Sequence, residues 1–198
     1  AQSGEIYFTG CGSEADNWVV FGTADALKHK GNHIITTKIE HHAMLHSCNF
    51  LEKQGFAVTY LDVEPDGTVN PQKLEEAIRD DTILISIMLV NNEVGTVEPV
   101  EALSAIAKKH GILFHTDGVQ ALGNVPIDVK KMGVDMMSLS AHKIYGPKGV
   151  GALYVRKGLR ISNYLYGGAQ EAGRRAGTEN LAGIVGFGKA AQLAEKNF

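Results

Sequence analysis

The sequence has little cysteine, no long apolar run and no excess of basic residues. Its two cysteines, Cys11 and Cys48, do not form a C-x-x-C pair, which argues against a disulfide framework or a zinc knuckle and favours a reducing cytoplasmic location. No apolar segment approaches the ~20 residues that a membrane span needs, so we expect no membrane partner. The net charge is -3 without a basic cluster, so we expect no nucleic-acid partner.

Both ends of the chain lack the signals that usually mark a terminus. The N-terminus has no methionine, no basic segment and no apolar leader, and a strand pattern begins almost at once at Ile6. A helical pattern from Leu181 to Phe198 ends without a clear cap. We therefore interpret the chain as a piece of a longer protein that begins inside a domain. Its 198 residues, 44% of them hydrophobic, suffice for one sizeable core.

Segments with strand and helix patterns alternate through most of the chain. Strands are predicted at 5–9, 33–37, 56–62, 82–90, 112–116, 136–139 and 150–156, and helices at 13–30, 40–53, 71–79, 99–110 and 181–198. This alternation predicts an α/β fold, a three-layer sandwich with a mostly parallel sheet. The last strand follows its predecessor after a short connection, so we expect it to run antiparallel to its neighbour.

Polar side chains follow several of these strands. The clusters are Gly10–Ser13, Glu40–His41, Asn91–Asn92, Asp117–Gln120 and Ser140–Lys143. Ligands of such sheets bind beyond the carboxyl ends of the strands. We therefore expect the clusters to converge on one crevice.

Lys143 is the residue of most interest, because it lies between a serine and histidine on one side and a Gly/Pro turn on the other. A lysine in a partly desolvated pocket has a lowered pKa and can form an imine with a carbonyl group. Taken alone, Lys143 is better explained as an exposed loop residue. The other clusters make the catalytic interpretation preferable.

The clusters supply the groups that a pyridoxal 5'-phosphate (PLP) site needs. Lys143 would carry the imine, Asp117 would pair with the pyridinium nitrogen, and His41 would stack on the ring and act as acid or base. A glycine-containing turn before a helix offers N–H groups to a phosphate, and Ser13 adds a hydroxyl and an N-cap, although this pattern is weak evidence alone. Phosphate ligands are expected at Ser13, Ser140 and His142, and ligands of the phenolic oxygen at Asn92 and Gln120.

Each of these residues also has a plainer interpretation. Asp117 and Asn92 could be ordinary turn residues, and the helix after Gly12 could simply be capped. His42 and His46 have the i, i+4 spacing of metal ligands, but no further ligand pattern accompanies them, so we predict no metal site. It is less plausible that all of these clusters follow strands by chance.

At this point the sequence resembles the large domain of cysteine desulfurases, PLP enzymes of the class V aminotransferase group. The matching segments are 8–17, 40–43, 90–95, 115–120, 138–149 and 167–180, which follow the family's order over nearly the whole chain. The resemblance implies the fold type I large domain of PLP-dependent transferases. It also implies transfer of sulfur from L-cysteine, with release of L-alanine, to a cysteine persulfide and then to an acceptor protein for Fe–S cluster assembly or related pathways.

The resemblance assigns Lys143 as the Schiff-base lysine and His41 as the stacking histidine. The phosphate ligands that it implies are Gly12, Ser13, Ser140 and His142, and the ring neighbours are Asn92, Asp117 and Gln120. It further implies a homodimer in which Thr178 reaches the phosphate of the partner subunit. It divides the chain into a PLP-binding large domain at 1–178, incomplete at its N-terminus, and a helix at 179–198 that leads toward a C-terminal small domain.

The sequence departs from the family pattern in places. Ser13 replaces the usual threonine, and the loop 167–173 has alanines where the family often has glycine and a basic residue. Neither Cys11 nor Cys48 matches the persulfide cysteine, which we expect outside this chain together with the arginine that binds the substrate carboxylate. We therefore expect these 198 residues alone to be inactive.

Two other interpretations stay open. One is a different class V PLP enzyme, either a selenocysteine lyase or an aminotransferase. The other is a non-catalytic fragment that binds no cofactor. Nucleotide binding at Gly146–Gly149 is excluded, because the spacing is not that of a P-loop.

Overall fold

The computed structural model describes residues 1–196, which form a seven-stranded sheet covered by helices on both faces. The strands are β1 (Ile6–Thr9), β2 (His33–Thr37), β3 (Ala57–Leu61), β4 (Thr82–Ser86), β5 (Leu113–Asp117), β6 (Met136–Ser140) and β7 (Gly151–Val155). The helices are α1 (Gly12–Leu27), α2 (His42–Glu52), α3 (Pro71–Ala77), α4 (Val100–Lys109), α5 (Val129–Met132) and α6 (Leu181–Glu195). The predicted terminal helix included residues 197 and 198, which lie outside the described residues.

The predicted three-layer α/β sandwich is confirmed. Successive residues of the central strands alternate between the two faces, as in the pairs Ile34–Ile35, Leu84–Ile85 and Met136–Met137. The first member of each pair packs with α1 and α2, and the second packs with α3, α4 and α5. Both faces of the sheet are therefore buried, which explains why its strands are apolar runs rather than alternating ones.

The strand order is β1-β7-β6-β5-β4-β2-β3. The pairs from β3 to β6 are parallel, whereas β7 is antiparallel to both β6 and β1, as the short connection predicted. Thr9 and Ser140 both lie opposite Gly151 in register. The end of β1 and the end of β6 therefore reach the same edge of the sheet, one strand apart.

Several predicted boundaries were wrong by a few residues. The segment 82–90 is assigned as a strand only to Ser86, although the N–H groups of Ile87 and Leu89 still donate to carbonyls of His115 and Asp117 on β5. Ser13 does not cap α1, because Cys11 occupies the N-cap position and no side chain bonds there. The helix α5 was not predicted, and it begins at an Asp128 cap.

Two helix starts are capped by side chains. Asn180 caps α6 by accepting the N–H of Gly183. His41 caps α2, since its ring nitrogen Nδ1 accepts the N–H of Ala43 at 3.1 Å. No helix within residues 1–196 is long and apolar enough to cross a membrane.

Candidate active site

The carboxyl-end edge of the sheet carries a cavity of about 330 Å³. It lies where β4, β5 and β6 end and where α1 begins. The cavity is lined by nearly all of the predicted site residues, namely Gly12, Ser13, His41, Asn92, Asp117, Gln120, Ser140, His142 and Lys143. The predicted convergence of the strand-end clusters on one crevice is therefore observed.

Thr178 does not line this cavity. It is exposed and lines a smaller cavity of about 140 Å³ beside Gly10 and Gly149. The family resemblance implies that Thr178 contacts the phosphate in a partner subunit and not in its own. This contact stays a prediction.

Asp117 is the last residue of β5 and is 5% exposed. Burial raises the pKa of its carboxyl, while the N–H of Val119, at 2.8 Å from Oδ1, and the charges of His41 and Lys143 oppose that rise. This carboxylate is thus buried at the cavity but surrounded by groups that favour its ionised form.

Lys143 follows β6 in a single 3-10 turn, Ala141–Ile144. The turn ends at Tyr145, whose φ of 62° is in the left-handed region. Lys143 lines the cavity but is exposed, so the partial desolvation expected from the sequence is not found. The turn projects beyond the strand end, which is why the amine sits at the rim rather than in the core.

The first turn of α1 and the end of β6 form one side of the cavity. A Cβ atom on Gly12 would lie 2.7 Å from Cγ2 of Val119, so only glycine fits between the helix and that side chain. Ser140 is 1% exposed, and its Oγ lies 2.9 Å from Nδ1 of His142. Free helix N–H groups, two serine hydroxyls and an imidazole ring therefore meet here, which is a donor set suited to an anion.

Two buried polar atoms of the cavity lining have no hydrogen-bond partner among the described residues, Oε1 of Gln120 and Oδ1 of Asp16. Buried polar atoms are rarely left unpaired, because each one costs about 1–3 kcal/mol. Their presence fits a cavity that receives a polar ligand.

Four residues that were not predicted as site residues, Cys11, Asp16, Met88 and Val119, also line the cavity. Asp16 lies three residues after Ser13 in a helix, and this spacing places both on one helix face. That signal was present in the sequence. Met88 and Val119 are apolar residues beside polar clusters, and no sequence pattern separates them from core residues.

Two histidines of α2 have the spacing that metal ligands can have. His42 and His46 are exposed, with ring centroids 5.3 Å apart. Within the described part of the chain, no three His, Cys, Asp or Glu side chains are grouped as metal ligands.

The sequence matches the family described as Aminotransferase class-V over residues 1–198. A curated relative from Clostridium botulinum strain Hall, "Cysteine desulfurase IscS", is 59% identical over 197 residues, which are 100% of this chain and 50% of the relative. Another, of the same name from Methanosarcina thermophila, is 61% identical over 98% of this chain and 48% of its own length. The chain thus spans about half the length of the curated relatives it matches.

Solved structures are similar to this one throughout. A "NifS-like protein" superimposes with a TM-score of 0.97 at 44% identity, covering 100% of this chain and 55% of its own. The structure described as "SspA in complex with cysteine" superimposes with a TM-score of 0.94 at 46% identity, covering 97% and 56%. These similarities confirm the predicted fold type I large domain.

Proposed function

The chain belongs to the aminotransferase class-V family, and we propose that it carries the PLP site of a cysteine desulfurase. The observation that carries this proposal is the single cavity that contains Lys143, Asp117 and His41 together. An amine, a buried carboxylate and an imidazole at one strand edge, beside a donor set suited to phosphate, match the requirements of PLP binding. We propose residues 1–178 as the PLP-binding large domain and 179–198 as a helix leading toward a small domain.

The residues present fit PLP at both of its charged ends. Asp117 would hold the ring nitrogen, and the amide N–H groups of Gln120 and Asn92 would donate to the phenolic oxygen. His41 would lie against the ring and Lys143 would hold the cofactor covalently through Nζ. The phosphate ligands in this proposal are Gly12, Ser13, Ser140 and His142.

PLP supplies an electron sink that stabilises negative charge at the Cα atom of an amino acid. The residues of this chain would supply the proton transfers. Because Nδ1 of His41 accepts the N–H of Ala43, a neutral His41 carries its proton on Nε2. Nε2 of His41 and Nζ of Lys143 are then two groups at the cavity that can give or take a proton.

We propose L-cysteine as the substrate and L-alanine as the product, on the names of the relatives and on the cysteine complex of one similar structure. The chain's own thiols are poor sulfur acceptors. Cys48 is fully buried, and burial raises the pKa of its thiol to about 12. Cys11 lies in the turn proposed to bind phosphate. We therefore expect residues 1–198 alone to release no alanine from cysteine.

A homodimer and a sulfur-acceptor protein complete the proposal. Tyr145, Leu181 and Val185 expose apolar surface near the end of β6 and on α6, which suits a subunit interface, and exposed Thr178 is positioned outside its own cavity. We propose the cytoplasm as the location, where the two free cysteines would remain reduced. Fe–S cluster assembly is the proposed destination of the sulfur.

The test is PLP binding by the purified chain, followed by the visible absorption that PLP gains on covalent attachment to a lysine. We expect this absorption in the wild type and in Lys148→Ala, a matched exposed lysine five residues along. We expect it to be lost in Lys143→Ala. After borohydride reduction, the pyridoxyl group should be found on the Lys143 peptide. Absorption that survives in Lys143→Ala, or a label on another lysine, would refute the assignment.

A further inference from the structure

Asp16 is a buried acid for which neither the fold nor the proposed cofactor contacts yet give a role. It lies on α1, is 1% exposed, and lines the same cavity as Asp117. Its Oδ1 has no hydrogen-bond partner among the described residues. An ionised carboxylate is rarely left in such surroundings, because a buried charge needs a counter-charge or several donors.

The neighbours of Asp16 include a chain of polar side chains across three adjacent strands. Ser86 on β4 lies 2.8 Å from Nδ1 of His115 on β5, and Ser138 on β6 lies 3.0 Å from Nε2 of the same ring. All three side chains are fully buried. Burial lowers the pKa of His115 to about 3, so its ring is neutral. The 3.8 Å between His115 Nε2 and Asp16 Oδ1 is therefore not an ion pair.

The two aspartates have different surroundings. Asp117 receives the N–H of Val119 and lies near the positive charges of His41 and Lys143. Asp16 faces only a hydroxyl and a neutral ring from β5 and β6. Burial raises the pKa of Asp16 well above its ordinary value and the charge of Asp117 raises it further, against a hydrogen bond from Ser138.

The remaining titratable neighbours act in the same direction. Glu40, from the connection before α2, and Cys11, before α1, both raise the pKa of Asp16 when they are ionised. None of the main influences on the pKa of Asp16 from residues 1–196 is a positive charge. A single negative charge on the aspartate pair is thus favoured on Asp117, although the hydrogen bond from Ser138 to Asp16 opposes this preference.

We propose that Asp16 is a positioning residue that stays neutral and proton-bearing, and thereby keeps the single negative charge of the pair on Asp117. This inference rests on the proposed PLP function for its purpose, because the ring nitrogen needs an ionised Asp117. The underlying claim concerns the order in which two carboxyl groups ionise. That order can be measured in the PLP-free protein as well.

The experiment follows each carboxyl carbon by NMR, in protein isotopically labelled at the aspartate side chains, across a pH titration with and without PLP. Glu40 gives no signal with this label. Asp16→Asn and Asp117→Asn each remove one resonance and so assign it. We expect the Asp16 resonance to be that of the protonated acid at neutral pH, and the Asp117 resonance to ionise at lower pH than Asp16.

The two variants also test the order through their effect on each other. A group that ionises first titrates beside a still-neutral partner, and asparagine is also neutral. Asp16→Asn should therefore leave the Asp117 midpoint unchanged, whereas Asp117→Asn should lower the Asp16 midpoint by about one pH unit or more, since it removes a neighbouring negative charge. A purely structural role for Asp16 predicts no such asymmetry.

The inference is overturned if Asp16 ionises before Asp117, or if the Asp117→Asn substitution leaves the titration midpoint of Asp16 unchanged. Failure of PLP to bind would instead refute the proposed function, and the PLP-free titration would still decide the order of ionisation. If either variant fails to fold, the titration of the wild type still decides the matter. The proposal expects two aspartates to ionise in separate steps, the later one above neutral pH. A single acidic step would overturn the proposal.

Discussion

Glu40 offers a test of how this fold tolerates acids in its interior. The side chain is 4% exposed, and its Oε1 accepts the hydroxyl of Thr37 at 2.8 Å and the N–H of Met88 at 3.0 Å. Its Oε2 has no partner among the described residues. Burial raises the pKa of Glu40 from 4.5 to about 8, so the group is protonated in the folded protein at neutral pH.

The sign of the pH effect follows from linkage. Between pH 4.5 and about 8 the folded state holds a proton that the unfolded state has lost, so stability falls as pH rises through this window. The contribution is fully present below pH 4.5 and gone above pH 8. The difference between the two pKa values corresponds to a loss of unfolding free energy on the order of 5 kcal/mol at most. This is a large share of the ~5–15 kcal/mol stability of a typical domain.

The perturbation is Glu40→Gln, which keeps the shape but cannot ionise. At pH 5 the variant should be less stable than the wild type by roughly 1–3 kcal/mol, because its amide buries two unpaired N–H donors where the protonated carboxyl buries one unpaired O–H. Above pH 8 it should be the more stable protein, because the wild type then buries a charge. The two curves of unfolding free energy against pH should therefore cross.

The assay is urea unfolding of the PLP-free protein at several pH values between 5 and 9. Asp16, Asp117 and Glu98 also have raised pKa values, so the stability of both proteins falls with pH. The Asp16 contribution is smaller in Glu40→Gln, because ionised Glu40 is one of the charges that raise the pKa of Asp16. Glu93→Gln, at an exposed position in the neighbouring loop, is the control and should run parallel to the wild type. Parallel curves for Glu40→Gln would refute the claim that Glu40 is protonated in the folded state.

The remaining predictions concern packing and the anchoring of a loop. Gly31→Ala should destabilise the protein by roughly 3 kcal/mol in the same urea assay, since its Cβ would overlap the backbone carbonyl of Asp81. Gly188→Ala, in α6 with open space around the position, should be neutral or stabilising by ~0.5–1 kcal/mol, and equal effects would contradict the packing argument. Arg175→Lys should speed proteolytic cleavage within residues 167–177, because Arg175 contacts both carboxylate oxygens of Glu14 at 2.7 and 3.1 Å and lysine cannot. An unchanged cleavage rate would mean that this ion pair does not hold the loop.

The sequence predicted the sheet well because both of its faces are buried. In an alternating α/β pattern, a continuous apolar run such as 82–90 is typical of a central strand. The end of that strand was less predictable, because Ile87 and Leu89 keep hydrogen bonds to β5 while departing from regular strand geometry. The four-residue helix α5 was missed because one turn is too short to show a helical period.

The candidate site was predictable where a residue of suitable chemistry directly follows a strand. Polar residues directly after apolar strands, such as Asp117 and Lys143, can be assigned to the carboxyl edge from topology alone. Asp16 was missed because it lies inside a helix, where an aspartate is usually a solvent-facing residue. Only the packing of α1 over β5 and β6 shows that it is buried beside Asp117.

The antiparallel strand β7 explains how the first and sixth strands come to share one site. Two successive reversals, from β6 to β7 and from β7 to β1, make β1 parallel to β6, so both end at the same edge. The turn after β1 then lies beside the turn that carries Lys143. The fit is close, because a Cβ on Gly151 of β7 would lie 2.5 Å from the backbone carbon of Cys11. A side chain at position 151 would therefore separate the proposed phosphate-binding turn from the turn that carries Lys143. The geometry of the site thus depends on a glycine that does not itself line the cavity.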